Sequence, residues 1–231
     1  MATDNRTLLE IARAYTQPGI LVQAKIEGLL PGLLMHNGEA QVLQEQAAEE
    51  ARKAGRRGKF IPTPEQEAEW GSYRYKEGKY KGALYLPSTN VRRSLVEASK
   101  AFKMPKSRAS MFKSVAAGVT TPSECSPGFA LYDPSDFKKK TPYTEYTLDR
   151  QRAVVSKASI SRARPLLFPW GCEASFLLDV EAVAPEVFAE ILGYAGSRIG
   201  VCDMRPELGG EYGRYAVTNL EVIEDLLAEE V

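Results

Sequence analysis

The residues that decide the fold are "APEVFAEILGYAGSRIGVCDMRPELGGEYGRYAV", Ala184 to Val217. Pro185 stands near the start, and Val187, Phe188, Ile191 and Leu192 recur at helical spacing, so a helix is expected, ended by Gly193 or Gly196. "YGRYAV" reads as a strand. Between them lie Gly196, Gly200, Gly209, Gly210 and Gly213 among Arg198, Arg205 and Arg214. Helix, glycine segment, strand is the wrong order for a dinucleotide fingerprint, which follows a strand and opens a helix. The segment also lacks the G-x-x-x-x-G-K-[ST] of a P-loop. Its glycines permit positive φ and close backbone approach. Its arginines are fork-shaped donors suited to phosphate. It reads equally as a glycine-rich hairpin whose arginines pair with Asp203, Glu207 and Glu211.

Upstream, "CEASFLLDV" alternates Ala174, Phe176 and Leu178 with Glu173, Ser175 and Asp179, the period of a half-buried strand. "AVVSKASISRARPLLFPW" reads as a long β-ribbon with basic exposed positions. "STNVRRSLVEASKAF" reads as a helix with Ser88 or Thr89 as N-cap and Val91, Leu95, Ala98 and Phe102 as its buried stripe. Asn90, Arg92 and Arg93 fall in its first turn, where free backbone N–H groups favour an anion and a cation calls for one. "GALYLP" is a short strand, and "ILVQAKIEG", from Ile20, is an alternating one. A short helix is expected over Thr7 to Tyr15.

Glu39 to Ala54 should be helical with little apolar face, and "GRRGKFIPTPEQ" reads as a flexible linker. Tyr73, Tyr75 and Tyr80 alternate with Arg74, Lys76 and Lys79, a pattern that suits base stacking or a β-hairpin equally. Residues 218–231 read as an acidic C-terminal helix. The order of elements implies an α+β fold: a ferredoxin/RRM-like antiparallel sheet backed by helices. The chain is expected to be a single RRM-like domain over 1–231. It carries a helical insertion at 39–82 and a second at 104–170 containing the basic β-ribbon.

The chain has 231 residues, 44% hydrophobic and 26% charged, ordinary for a globular protein. No apolar run has the length of a membrane span or the pattern of a signal peptide. Its 3 cysteines, Cys125, Cys172 and Cys202, share no metal-binding or disulfide spacing, which points to a reducing cytoplasm. Lys+Arg 30 balance Asp+Glu 30, but the charges segregate. Arg92 to Lys113 and Arg150 to Arg164 are basic blocks, and the C-terminus is acidic. That arrangement fits a phosphate-binding face, or a set of solvated helix faces. The only histidine, His36, sits at a turn and cannot build a multi-histidine metal site. Asp133, Asp136, Asp149 and Asp203 are scattered. Neither catalysis nor a cofactor is expected.

"IEGLLPGLLMHNG", "YLPSTNVRRSLVEAS" and "AGSRIGVCDMRPELGGEYGRY" occur in an order that resembles the RAMP superfamily, the RRM-fold proteins of CRISPR effector complexes. The likeness is to the backbone subunits that polymerise along guide RNA, and the same pattern resembles phage- and prophage-encoded proteins. Leu86-Pro87-Ser88 and Arg92-Arg93 match the family's helix-opening segment. Residues 196–213 match its glycine-rich loop in kind.

The resemblance implies a palm formed by the core, fingers formed by 39–82 and a thumb around 154–164. It also implies head-to-tail homo-oligomers, single-stranded nucleic acid as partner with RNA favoured over DNA, further effector subunits, and no membrane. Some RNA-cleaving relatives carry an aspartate after the first strand. Here Met35-His36-Asn37-Gly38-Glu39 stands in that place, so binding without cleavage is expected. The contacting residues are expected to be His36, Asn37, Asn90, Arg92, Arg93, Lys100, Lys157, Arg162, Arg164, Arg198, Arg205 and Arg214. The competing reading is a phage assembly subunit that self-associates through basic and acidic surfaces without nucleic acid.

Overall fold

The computed structural model describes residues 19–58, 60–136, 139–155 and 158–225. The expected helix over Thr7 to Tyr15 lies outside them, as does Lys157.

The first element among the described residues is β1 (Ile20–Gly28), whose alternation buries Ile20, Val22, Ala24 and Ile26. It then forms β2 (Leu33–Leu34), α1 (Glu39–Lys53), α2 (Pro64–Gly71), β3 (Tyr85–Pro87) and α3 (Ser88–Ala98). Next come α4 (Phe112–Gly118), β4 (Val119–Thr120), β5 (Gly128–Ala130), β6 (Thr147–Val155), β7 (Ala158–Leu167) and β8 (Gly171–Leu178). The last elements are α5 (Pro185–Tyr194), running on into a wider turn over Ala195–Ile199, and β9 (Tyr215–Asp225).

The main sheet has the order β4-β8-β1-β9, every neighbouring pair antiparallel. β8 lies between β1 and β4, the strands that α3 and α4 join. β1 lies between β8 and β9, the strands that α5 joins. Two interleaved β-α-β units of this kind are the ferredoxin/RRM-like arrangement expected from the sequence. A second sheet, β2-β7-β6, carries the ribbon, and β3 pairs with β5.

One face of the main sheet is the core. Ala24, Phe176 and Leu178 pack in one cluster with Val91, Leu95 and Ala98 of α3 and Phe188, Ile191 and Leu192 of α5. The rings of Phe176 and Phe188 meet edge to face at 5.4 Å. Burying a side chain of this size contributes about 1.5–3 kcal/mol, so this layer is the main source of stability. The opposite face of β1 and β8 presents Gln23, Lys25, Glu27, Glu173 and Ser175, all half-buried, and no aromatic residue. Base stacking on the sheet, the usual mode of an RRM, has no platform there.

Three expectations are corrected. First, β9 occupies residues 218–225, where a helix was expected. Tyr215, Val217, Leu220 and Val222 pair with β1 along nearly its whole length, with register shifts at Leu21/Val22 and Lys25/Ile26. Without β9 the inner strand β1 would expose a full row of backbone donors and acceptors, and satisfying them overrides the helical preference of "LEVIED".

Second, the N-cap of α3 is Pro87, with no side chain capping, and Ser88 is already helical. Third, "GRRGKFIPTPEQ" is not a plain linker, because Thr63 opens α2 with a capping box. Its hydroxyl accepts from Gln66 N at 3.2 Å, and its N–H donates to Gln66 Oε1 at 3.0 Å.

The tyrosines settle as a hairpin. Tyr75 N–H donates to Ala83 O and Gly82 N–H to Tyr75 O. Tyr75 and Tyr85 stack at 4.8 Å, and the Tyr73 and Tyr75 hydroxyls donate to His36 O and Gly128 O at 2.8 and 2.7 Å. Burial pushes the Tyr75 phenol up to about 12. Among the described residues, no helix is long and apolar enough to cross a membrane.

Candidate nucleic-acid interface

The glycine segment turns out to approach its own backbone. Gly213 has φ +69°, and a Cβ there would lie 1.9 Å from Val201 O. A Cβ on Gly210 would lie 1.8 Å from Met204 O. The segment docks on β2, with Gly213 N–H donating to Gly32 O at 2.8 Å and Asp203 N–H to Leu34 O at 3.0 Å. The close approach expected of these glycines is therefore made to the segment's own backbone. Arg205 belongs to this internal packing too. Its Nε donates to Glu207 Oε2 at 2.8 Å and its Nη1 to Cys202 O at 3.0 Å. Asn90 meets the same loop, its Nδ2 lying 3.5 Å from Cys202 Sγ.

Several expected phosphate ligands already have partners. Arg92 donates from Nη2 to Ala116 O at 2.5 Å and from Nε to Val119 O at 3.2 Å. It therefore serves the carbonyl end of α4, where a cation is favoured. Lys100 donates to Glu97 at 2.6 Å and lies over the Phe112 ring. Arg162 pairs with Glu67 at 2.7 Å, and that carboxylate also accepts from Ala163 N. Arg164 Nε lies 2.8 Å from Asp203 Oδ2, a close charge contact out of hydrogen-bond alignment.

Arg93, Arg198 and Arg214 are exposed and have no carboxylate partner among the described residues. Arg93 and Arg198 belong to the α3 and α5 regions, and Arg214 precedes β9. The expected residues are thus carried by several separate elements.

Four of them do converge. His36, Asn37, Arg162 and Arg164 line one cleft of about 860 Å³ between α1, the segment after it, α2 and β7. The same cleft takes in Arg52, Arg56, Arg57, Phe60 and Trp70, which the sequence reading left aside. Local chemistry places them. Arg52 is in the last turn of α1, where a cation suits the helix dipole.

A Schellman turn follows: Gly55 has φ +79°, its N–H donates to Arg52 O at 2.9 Å, and Arg56 N–H donates to Ala51 O at 3.0 Å. That turn reverses the chain and aims the Arg56-Arg57 pair along the cleft wall. Arg52, Arg56 and Arg57 are exposed and have no ion-pair partner among the described residues. Opposite them, the Phe60 and Trp70 rings have centroids 6.4 Å apart. The signal that could have found this site was present as "ARKAGRRG" ahead of a T-x-x-Q capping box.

His36 is exposed, and its backbone carbonyl is what accepts the Tyr73 hydroxyl. Asn37 holds the entrance, its Oδ1 accepting from Glu39 N at 3.1 Å and its Nδ2 donating to Ser72 O at 3.2 Å. Cys172 and Cys202 are buried. Burial pushes the Cys202 thiol up to about 12, so it stays protonated at neutral pH. Among the described residues no group of His, Cys, Asp and Glu side chains could hold a metal ion.

No family model matches the chain, and no curated protein matches it in sequence.

Proposed function

We propose that the chain is a non-catalytic protein that coats single-stranded nucleic acid through backbone phosphates, in the manner of a CRISPR backbone subunit. RNA is favoured over DNA as its partner. The reading requires no cofactor, and it includes head-to-tail homo-oligomers within a prokaryotic or phage-infected cytoplasm, alone or with other effector subunits.

The observation that carries it is the cleft beside α1. Unpaired arginines on a solvent-open wall release counterions when they meet phosphate, which drives binding without sequence preference. Arg93, Arg198 and Arg214 are further unpaired cations that the same strand could meet in an assembled array.

A direct test is fluorescence anisotropy of a labelled oligouridylate with the wild type and with Arg56→Glu/Arg57→Glu. Both residues are exposed loop positions, so the variant should fold. Loss of at least tenfold in affinity is expected; equal binding would remove the cleft from the site.

A second reading rests on the pairs Arg162–Glu67, Arg164–Asp203 and Lys100–Glu97, which neutralise cations internally. It makes the chain an assembly subunit without nucleic acid. Ordered oligomers from protein purified free of nucleic acid, with no affinity for the oligouridylate, would favour it.

A further inference from the structure

We infer that the cleft beside α1 holds an unpaired nucleobase stacked on Trp70 and Phe60, making it a selective site for single strands over duplex. This rests on the nucleic-acid reading above and adds what part of the polymer the cleft takes. Phosphate contacts alone would not need the aromatic pair. The tyrosines of the hairpin are packed into the fold instead, with the Tyr73 and Tyr75 rings each tilted against Tyr85, and the open sheet face has no aromatic residue.

Phe60 and Trp70 are only half-buried, tilted by 32°, and line the same cleft as the unpaired Arg52, Arg56 and Arg57. Ile61 beside them is 79% exposed, so the apolar wall reaches solvent. An aromatic surface next to forked cations suits a base and its adjoining phosphates, and every base has a π-face to offer. A duplex keeps its bases stacked internally and offers this wall only phosphates. The cleft volume, about 860 Å³, is of nucleotide size and too small for a helix of paired strands.

The sequence supplies a clean reporter. Of the 2 tryptophans, Trp170 is fully buried in the core and Trp70 is in the cleft. Intrinsic tryptophan fluorescence of the whole chain is therefore titrated with oligouridylate, oligodeoxythymidylate, an abasic strand with the same number of phosphates, and a duplex. Anisotropy of labelled strands is measured in parallel.

The expected result is quenching by both base-bearing single strands, none by the abasic strand or the duplex, and no quenching in Trp70→Phe. Trp70→Ala should weaken the base-bearing strands by roughly five- to 150-fold and leave the abasic strand unchanged. A difference between the RNA and DNA strands would identify which polymer the cleft prefers. Strands that bind by anisotropy without quenching, or that lose nothing in Trp70→Ala, would overturn the stacking site while leaving phosphate binding intact. No binding by any strand would overturn both.

Discussion

Arg92 is bound to the far end of another helix. Its guanidinium reaches Ala116 O at 2.5 Å and Val119 O at 3.2 Å, joining the second turn of α3 to the point where α4 hands over to β4. A cation near the start of α3 is thus explained by carbonyls, without any external anion. Arg93, its neighbour, is exposed and shares no such contact among the described residues.

The two arginines should therefore separate in a stability measurement. Arg92→Ala removes charge-assisted hydrogen bonds and leaves part-buried carbonyls unmet, a loss of about 1.5–3 kcal/mol. Arg93→Ala should stay within about 0.5 kcal/mol of the wild type. Urea denaturation checks both; equal effects would contradict the assignment.

The glycine loop makes a similar contrast. Gly213→Ala sets a Cβ 1.9 Å from Val201 O at φ +69°, and backbone must shift to admit it. Gly209 has φ +80° but nothing within 4 Å of a Cβ. Gly209→Ala should cost only the left-handed conformation, about 1–2 kcal/mol. Gly213→Ala should cost clearly more, or prevent folding. Thermal melts of the two variants give the order, and Gly209→Ala as the worse variant would be wrong for this loop.

Acid should weaken the tie between α2 and the ribbon. Arg74 grips Glu69 with Nε at 2.7 Å and Nη2 at 3.0 Å, and Tyr146 donates to the same carboxylate at 3.1 Å. The Arg74 hydrogen bonds hold the Glu69 carboxyl below its ordinary value of 4.5. Because the folded value is the lower one, this stabilisation is fully present above pH 4.5 and is lost as pH falls through the folded value. Glu69→Gln should flatten the acid limb of a stability profile by lowering its neutral part, with variant and wild type converging at the lowest pH. An unaltered acid limb would show that other carboxylates dominate it.

Much of the scaffold was legible because it is periodic. β1, β8, α3 and α5 each show one apolar face; β4, only Val119–Thr120, shows none, and the expected strand "GALYLP" pairs with β5 outside the main sheet. The start of β9 was legible in "YGRYAV"; its continuation was not, because Leu220 to Asp225 prefers a helix locally and only the unfilled edge of β1 makes it a strand. The site was legible in part.

His36, Asn37, Arg162 and Arg164 do meet in a cleft. Arg92 was misread because its partners lie on α4 and β4, distant in sequence. Arg52, Arg56 and Arg57 were passed over because their direction depends on a Schellman turn at Gly55 and on a capping box at Thr63, both hidden inside an apparent linker.

The central claim is that unpaired arginines beside α1 bind a strand by its phosphates. Its most direct test is the salt dependence of oligouridylate affinity for the wild-type protein. If Arg52, Arg56 and Arg57 each neutralise a phosphate, log K should fall linearly with log salt with a slope of about −2, and Arg56→Glu/Arg57→Glu should reduce its size to about 0.7 or less. A wild-type affinity that does not change with salt, or no affinity at low salt, would contradict the account.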